Sequence, residues 1–238
     1  MKSILKQPQK SRDSELAKYL GISIKEVSKW PINAKSTKRI LDRKKTIMSN
    51  GKVDNNKVVD LYRDYKFMDG RKYLKTAMYT SIRARPASLF KLLRKTKGKH
   101  VLDYGSGVGT HAIICLESGC DGVDLLDVAG PLRKFARWRI DLRSYKNAKY
   151  LEHNTTLIKS TYDCVICIDA LEHIPDPAVA LENMLNALRV GGVFYVLVGK
   201  PKIAAGHLTE IWAEWSSLGQ KVLQKYCKKI SENLYRRI

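Results

Sequence analysis

A glycine-rich turn with an acid in front of it is the most distinctive chemical feature of this 238-residue sequence. The run 101–109 reads VLDYGSGVG, a buried-strand pattern that contains Asp103 and then breaks into Gly105, Gly107 and Gly109. Glycines at alternate positions leave no Cβ atom in the way, so a ligand can lie directly on backbone N–H groups at the start of the following helix. An acid two residues before the first glycine would repel a phosphate. The pattern therefore predicts a nucleoside-bearing ligand that is cationic or donates hydrogen bonds.

A second acid follows at the distance expected for a nucleoside site. Asp127 ends the apolar segment 122–127 and lies 18 residues beyond Gly109, about where the ribose-binding acid of a Rossmann-like fold belongs. A carboxylate at a strand end can accept hydrogen bonds from both ribose hydroxyls. Because the glycine spacing is GxGxG and not GxGxxG, an NAD-dependent oxidoreductase is the weakest interpretation.

An adjacent acid and histidine form the third candidate group. Glu172 and His173 follow the apolar segment 162–168, which reads as a strand, so they should lie at the mouth of the same site. His173 could take the proton of a hydroxyl or amine as that group attacks. The pair could instead cap a turn and position the loop.

Alternating apolar strands and helices must position these groups. The periodicity predicts strands over 100–104, 122–127, 149–153, 162–168 and 193–198, with a closing pair near 221–226 and 233–238. Helices are predicted over 110–118, 132–143, 178–188 and 208–218. This order predicts an α/β, Rossmann-like, doubly wound, mostly parallel seven-stranded sheet with helices on both faces. Ligands on such sheets bind at the carboxyl ends of the strands, where the candidate residues fall.

Four ordered motifs within residues 99–219 resemble those of the class I S-adenosylmethionine-dependent methyltransferases. They are the runs 101–109, 122–127, 162–175 and 188–197. The resemblance implies that S-adenosyl-L-methionine is bound and that its methyl group is transferred by in-line displacement. The cofactor-binding residues that it implies are Asp103, Gly105, Gly107 and Gly109 at the methionine end, Asp127 at the ribose, Asn154 at the adenine amino group, and Asp169, Ala170 and Leu171 beside the reacting methyl group. Tyr104 and Val128, which follow Asp103 and Asp127 directly, complete the implied set.

The resemblance also bears on catalysis, for which Glu172 and His173 are the candidates. Small-RNA 2′-O-methyltransferases use an E-x-x-E-H cluster with a later histidine. Here Asp169, Glu172, His173 and His207 form a similar set, with Asp in place of the first Glu, and could hold a divalent ion that activates a hydroxyl. Asn154 stands where the family commonly has an acid, although an amide oxygen can still accept that hydrogen bond.

The positive charge of the sequence is concentrated near its beginning. The net charge is +21, and residues 1–98 hold 26 Lys and Arg against 8 Asp and Glu, whereas residues 99–238 hold 18 against 15. A polycation attracts phosphate polymers or anionic surfaces, so residues 1–98 are a candidate nucleic-acid interface. The same lysines could instead serve only to solvate the protein.

The basic region divides into two predicted parts. Residues 1–10 should be disordered, and residues 11–30 have the spacing of a helix-turn-helix, with a capping box at Ser23 and Glu26. Together with a linker, these parts form a predicted segment over 1–50. This segment would either pack against the rest of the protein or form a homodimer, or it would contact nucleic acid. Residues 51–98 are expected to form a helical cap, in which Tyr65, Tyr73 and Tyr79 would cover the ligand or belong to the core. Residues 99–238 are the expected methyltransferase domain.

Composition sets the expected location. No apolar run approaches the roughly 18 residues of a membrane span, and residues 1–10 lack the apolar core of a secretory signal. An odd number of cysteines, five, is typical of buried free thiols in a reducing compartment. We therefore expect a soluble, cytoplasmic protein.

Taken together, these features predict a methyltransferase that alkylates an O, N or S atom of an acceptor. A small molecule is the favoured acceptor. RNA or DNA is the alternative acceptor because of the basic extension, and a protein side chain is a third. A DNA-binding regulator that senses S-adenosylmethionine without catalysis is the alternative from another class.

Overall fold

The computed structural model describes residues 3–32, 48–49, 52–64, 70–83, 85–199 and 209–238. Within these ranges a two-stranded hairpin pairs β1 (Met48–Ser49) with β2 (Lys52–Val53), and a separate sheet contains seven strands. Its members are β3 (His100–Tyr104), β4 (Gly122–Asp127), β5 (Ala148–Glu152), β6 (Tyr162–Ile168), β7 (Leu188–Leu197), β8 (Cys227–Ser231) and β9 (Leu234–Arg237).

The order of the large sheet is β5-β4-β3-β6-β7-β9-β8, and β9 alone runs in the direction opposite to the other six strands. The prediction of a doubly wound, mostly parallel seven-stranded sheet is therefore confirmed. The chain first adds strands on one side of β3 and then returns to add β6 on the other. Such a reversal opens a crevice at the carboxyl ends of the two central strands, here β3 and β6.

Helices cover both faces of this sheet. They are α5 (Ala87–Leu93), α6 (Thr110–Glu117), α7 (Pro131–Asp141), α8 (Pro177–Ala187), α9 (Thr209–Glu214) and α10 (Gln220–Tyr226), with a π-helical turn at Trp215–Gly219. Because side chains alternate along a strand, Leu102 joins the apolar layer beneath α8 and α10, while Val101 joins the layer beneath α5 and α6.

One predicted strand is wrong. Residues 221–226 form helix α10, and the strand begins only at Cys227. Val222, Leu223 and Tyr226 all pack against one apolar cluster, which is the spacing of a helix face.

The start of the chain is also more ordered than predicted. A 3₁₀ turn at Ile4–Lys6 precedes α1 (Gln9–Leu20) and α2 (Ile24–Lys29). Ile4 is buried, and its backbone N–H donates to the Glu117 carboxylate at 2.9 Å. The prediction of disorder over 1–10 is therefore wrong for residues 3–10, because a buried apolar contact and a hydrogen bond fix them. The predicted cap of α2 is confirmed, since Ser23 Oγ accepts from the Glu26 N–H at 3.1 Å.

Two further helices, α3 (Asn55–Asp64) and α4 (Gly70–Thr80), lie between the N-terminal pair and α5. Leu16, Val27, Met78 and Phe135 form an apolar cluster that joins α1, α2 and α4 to α7. Tyr79 belongs to this cluster, and its hydroxyl donates to Asp13 at 2.9 Å, so it is a core residue. Tyr65 and residues 33–47 lie outside the described residues. The prediction of a linker over 33–57 is wrong at its end, because β1, β2 and the start of α3 lie there.

All five cysteines are buried free thiols, as predicted. Among the helices of the described ranges, none combines the length and apolar character that crossing a bilayer requires.

Candidate active site

The glycine loop after β3 is tightly enclosed. Gly105 and Gly109 have φ values of +73° and +70°, in the left-handed region that favours glycine. A Cβ atom on Gly105 would lie 2.3 Å from Ala170 Cβ, and one on Gly109 would lie 3.0 Å from Ala136 Cβ. The loop thus fits between the segment that follows β6 and the side of α7, and neither glycine can carry a side chain without displacing a neighbour.

Asp127 meets the glycine loop directly. Its Oδ2 accepts from the Gly107 N–H at 2.5 Å, and its Oδ1 accepts from the Val128 N–H at 2.7 Å. Burial raises the pKa of Asp127 to about 6, against these two hydrogen bonds, which favour the charged form. The structure therefore brings together two predicted regions that are separated by 18 residues in the sequence.

Asp103 lies beneath the loop. It is 1% exposed, and its Oδ2 accepts from the Ala112 N–H in the first turn of α6 at 3.2 Å. Burial raises the pKa of Asp103 to about 7. In this position Asp103 fixes the start of α6 against β3, and a direct contact with a ligand stays a prediction. Tyr104, the next residue, is half-buried, and burial raises the pKa of its hydroxyl.

The segment after β6 forms the other wall of the crevice. Asp169 has a φ of +51° and forms an ion pair with the Arg85 guanidinium. Ala170 packs under Gly105, and Leu171 is fully buried. Sequence reasoning missed Arg85, because it lies 84 residues from its partner and no local pattern marks it.

Glu172 and His173 point to different neighbours. Glu172 is 1% exposed, its Oε1 accepts from the Gly199 N–H at 2.8 Å, and burial raises its pKa to about 7. The His173 ring packs edge-on against the Tyr62 ring of α3, with 5.7 Å between the ring centroids. Glu172 thus ties this loop to the end of β7, while His173 lies against the helical cap. Their catalytic roles stay a prediction.

Arg133 connects the ends of β4 and β5. It donates to the carbonyls of Asp127 and Leu151 at 3.4 and 3.3 Å and to the Glu152 carboxylate at 2.5 Å. This second basic residue was also missed. Asn154 is exposed two residues beyond the end of β5, at the same edge of the sheet, and its assignment to adenine stays a prediction.

The loop suits a polar ligand. Ser106 is 5% exposed, and its Oγ has no hydrogen-bond partner among the described residues. A buried hydroxyl without a partner is unfavourable unless a ligand or water satisfies it. Together with the close approach of Gly105 to Ala170, this fits a nucleoside whose polar atoms lie on the loop.

The suggested metal cluster is not assembled within the part of the chain that the structure describes. No three His, Cys, Asp or Glu side chains converge there in a way that could hold an ion. His207 lies outside the described residues, so the full set with Asp169, Glu172 and His173 stays a prediction.

Known proteins are similar to this chain in sequence. A family model described as "Methyltransferase domain" matches residues 76–233 of the 238. The Ubiquinone biosynthesis O-methyltransferase of Actinobacillus pleuropneumoniae serotype 7 is 28% identical over 124 residues, covering 50% of this chain and 53% of that protein. The enzyme of the same name from Neisseria meningitidis serogroup C is 29% identical over 117 residues, covering 47% and 49%. The chain thus spans about half the length of these curated relatives.

Among solved structures, an S-adenosylmethionine dependent methyltransferase from Mesorhizobium loti aligns with 61% of this chain and 82% of its own. The identity is 18% and the TM-score is 0.46.

Proposed function

Since the chain belongs to the family of methyltransferase domains, we propose that it is an enzyme that transfers a methyl group from S-adenosyl-L-methionine to a hydroxyl of a small molecule. The observation that carries the proposal is the assembly of the glycine loop, with Gly105 against Ala170 and the Asp127 carboxylate on the Gly107 N–H. This arrangement suits a nucleoside with a cationic substituent better than a pyrophosphate.

The proposed cofactor contacts follow from chemistry and position. Asp127 would accept hydrogen bonds from the ribose hydroxyls, exchanging one of its backbone donors for them. Ser106 Oγ and the loop backbone would bind the polar methionine end, beside which Arg85 supplies a positive charge that can meet a carboxylate. Val128 and Asn154 would flank the adenine.

When bound, S-adenosylmethionine supplies an electrophilic methyl group on a cationic sulfur. The chain then has to hold an acceptor oxygen in line and remove its proton. His173 is the proposed base, because an imidazole can take a proton near neutral pH. Glu172 holds the loop that carries His173 through its hydrogen bond with Gly199. Asp169, Ala170 and Leu171 would line the space between cofactor and acceptor.

Two observations support a small acceptor. The relatives are named as O-methyltransferases of ubiquinone biosynthesis. In this chain α3 lies over the crevice: Tyr62 packs on His173, and a Cβ atom on Gly130 would lie 3.0 Å from the Tyr62 carbonyl. A helix that contacts both the loop after β4 and the loop after β6 restricts the opening to a narrow substrate.

Calorimetric titration of the full chain tests the cofactor proposal. We expect S-adenosylmethionine and S-adenosylhomocysteine to bind and NADH not to bind. Asp127→Ala should weaken binding by about tenfold or more, because hydrogen bonds to a charged acceptor are among the stronger ones. Asp121→Ala, an exposed acid at the opposite end of β4, is the matched control and should change nothing.

Loss of affinity in both variants, equal affinity in Asp127→Ala and the wild type, or binding of NADH would each contradict the cofactor proposal. Release of S-adenosylhomocysteine with a panel of small hydroxylated compounds, compared with RNA and with a protein mixture, then tests the acceptor class. Turnover with RNA alone would favour the alternative that uses the basic residues 1–98.

A further inference from the structure

A buried ion pair joins the N-terminal helix to the side of the catalytic fold. Glu15 of α1 accepts from Arg139 Nε at 3.1 Å and from both terminal nitrogens of Arg143 at 2.7 and 3.0 Å. The side chains of Glu15 and Arg139 are 6% and 1% exposed. Burial disfavours the charged form of Glu15, but the two arginines outweigh it and hold its pKa below the ordinary value.

The other end of Arg139 reaches the glycine loop. Its Nη1 donates to the Val108 carbonyl at 2.7 Å and to Thr110 Oγ1 at 2.9 Å. Val108 lies between Gly107 and Gly109, and Thr110 is the first residue of α6. One guanidinium therefore links an acid near the start of the chain to the loop that would receive the cofactor.

Because these contacts are connected through Arg139, the position of the glycine loop depends on the docking of α1. A buried guanidinium is tolerated only when it is paired, and the removal of one partner leaves an uncompensated charge. Without Glu15, Arg139 would turn toward water or toward other acceptors and release the Val108 carbonyl. A Cβ atom on Gly107 would have nothing within 4 Å, so the backbone before Val108 has room to shift, while the Val108 side chain itself packs in the apolar cluster of α1, α2, α4 and α7.

We propose that Glu15 and Arg139 are positioning residues for the glycine loop, so that the N-terminal helix is a working part of the cofactor site. The identity of the ligand in this inference rests on the proposed function, but the ordering of the loop does not. The inference assigns to α1 a role other than contact with nucleic acid or dimerisation.

The same helix supplies a matched control. Asp13 is also buried, and it accepts from Tyr79 Oη at 2.9 Å and from Ser28 Oγ at 3.1 Å, with Lys75 Nζ at 3.4 Å. All of these partners belong to α2 and α4, and none of the contacts involves the glycine loop. Asp13→Asn should therefore weaken the docking of the helices and leave the loop in place.

The experiment compares Glu15→Gln, Asp13→Asn and the wild type as full chains, each checked for folding by circular dichroism. Two quantities are measured: affinity for S-adenosylhomocysteine by calorimetry, and hydrogen exchange of the backbone amides over residues 105–112 without ligand. We expect Glu15→Gln to bind about tenfold more weakly and to exchange faster over 105–112, whereas Asp13→Asn stays within about twofold in both. The midpoint temperature of thermal unfolding should fall in both variants.

Thr110→Val is the second variant, in case Glu15→Gln does not fold. It removes one acceptor of Arg139 and keeps the ion pair, and it also removes an acceptor of Ser81 Oγ, which retains the Met78 carbonyl. A smaller loss of affinity, about threefold, and faster exchange are therefore expected. Equal effects of Glu15→Gln and Asp13→Asn on both quantities, or unchanged exchange over 105–112 in Glu15→Gln and Thr110→Val, would overturn the inference. If the wild type does not bind S-adenosylhomocysteine, the proposed function fails, and the exchange measurement alone decides the positioning role.

Discussion

Buried acids dominate the site at the scale of single residues. Burial raises the pKa of Asp103 and Glu172 to about 7 and that of Asp127 to about 6. All three lie at the carboxyl edge of the sheet, where a cationic ligand would stabilise their charged forms. Near neutral pH the ligand-free protein therefore holds carboxyl groups that are partly protonated, and binding of a sulfonium would favour release of those protons.

Asp103 gives this argument a measurable consequence for stability. Its pKa rises from 3.8 to about 7 on folding, so between these values the folded chain keeps a proton that the unfolded chain has lost. This difference makes stability fall as the pH rises from about 4 to about 7. Asp103→Asn removes this pH-dependent loss of stability, because an amide does not titrate, and it keeps an acceptor for the Ala112 N–H. We expect the variant to gain about 2–4 kcal/mol over the wild type at pH 8 relative to pH 4.

Urea unfolding of the ligand-free protein across this pH range measures the gain. Asp141→Asn, a substitution at an exposed acid on α7, is the control and should show a difference from the wild type that does not vary in this way. A constant difference between Asp103→Asn and the wild type from pH 4 to pH 8 would show that burial does not raise this pKa.

At the scale of elements, the sequence predicted what local periodicity determines. Alternating strands and helices from residue 99 onward, the glycine turn and the acids at the strand ends follow from patterns within one element. The contacts of Arg85, Arg133 and Arg139 do not, because each joins elements that are distant along the chain. Residues 221–226 were misassigned since KVLQKY is too short for its apolar spacing to separate a strand from a helix, and packing against α8 decides between them.

The junction between the glycine loop and the β6 loop allows a test at this scale. Gly105 and Gly191 have similar φ values, +73° and +80°, but a Cβ atom on Gly191 would have nothing within 4 Å. Both alanine variants meet the same backbone strain, and only Gly105→Ala also collides with Ala170. We expect Gly191→Ala to lower the free energy of unfolding by about 1 kcal/mol and Gly105→Ala by about 1–3 kcal/mol more.

Denaturant unfolding of the two variants separates strain from collision. Combining Gly105→Ala with Ala170→Gly, which removes the opposing Cβ atom, should recover most of the additional loss. Equal losses for Gly105→Ala and Gly191→Ala, or no recovery in the double variant, would mean that the two loops are not in close contact.

At the scale of the whole molecule, a group of cations and the candidate site lie at opposite ends of the central strand. Exposed basic side chains crowd the end of α5 and the turn into β3, namely Lys91, Arg94, Lys95, Lys97 and Lys99. This turn precedes the amino end of β3, whereas the glycine loop follows its carboxyl end. Five residues of strand span roughly 16 Å. A phosphate polymer attracted to the turn would therefore bind first at a surface separate from the candidate site.

This separation leads to a prediction about nucleic acid. For a labelled single-stranded RNA and the full chain, the logarithm of the association constant should fall linearly with the logarithm of the salt concentration. Replacing Lys95, Lys97 and Lys99 with Ser should reduce the magnitude of this slope by about 2. Affinity for S-adenosylhomocysteine should be the same with and without saturating RNA. Lys228→Ser with Lys229→Ser, at exposed positions on the edge strand β8, is the control for loss of charge alone.

Competition between RNA and S-adenosylhomocysteine would instead place the polymer at the carboxyl edge, where it could be the methyl acceptor. Failure of RNA to bind at low salt would contradict the predicted interface and mean that these lysines serve only to solvate the protein.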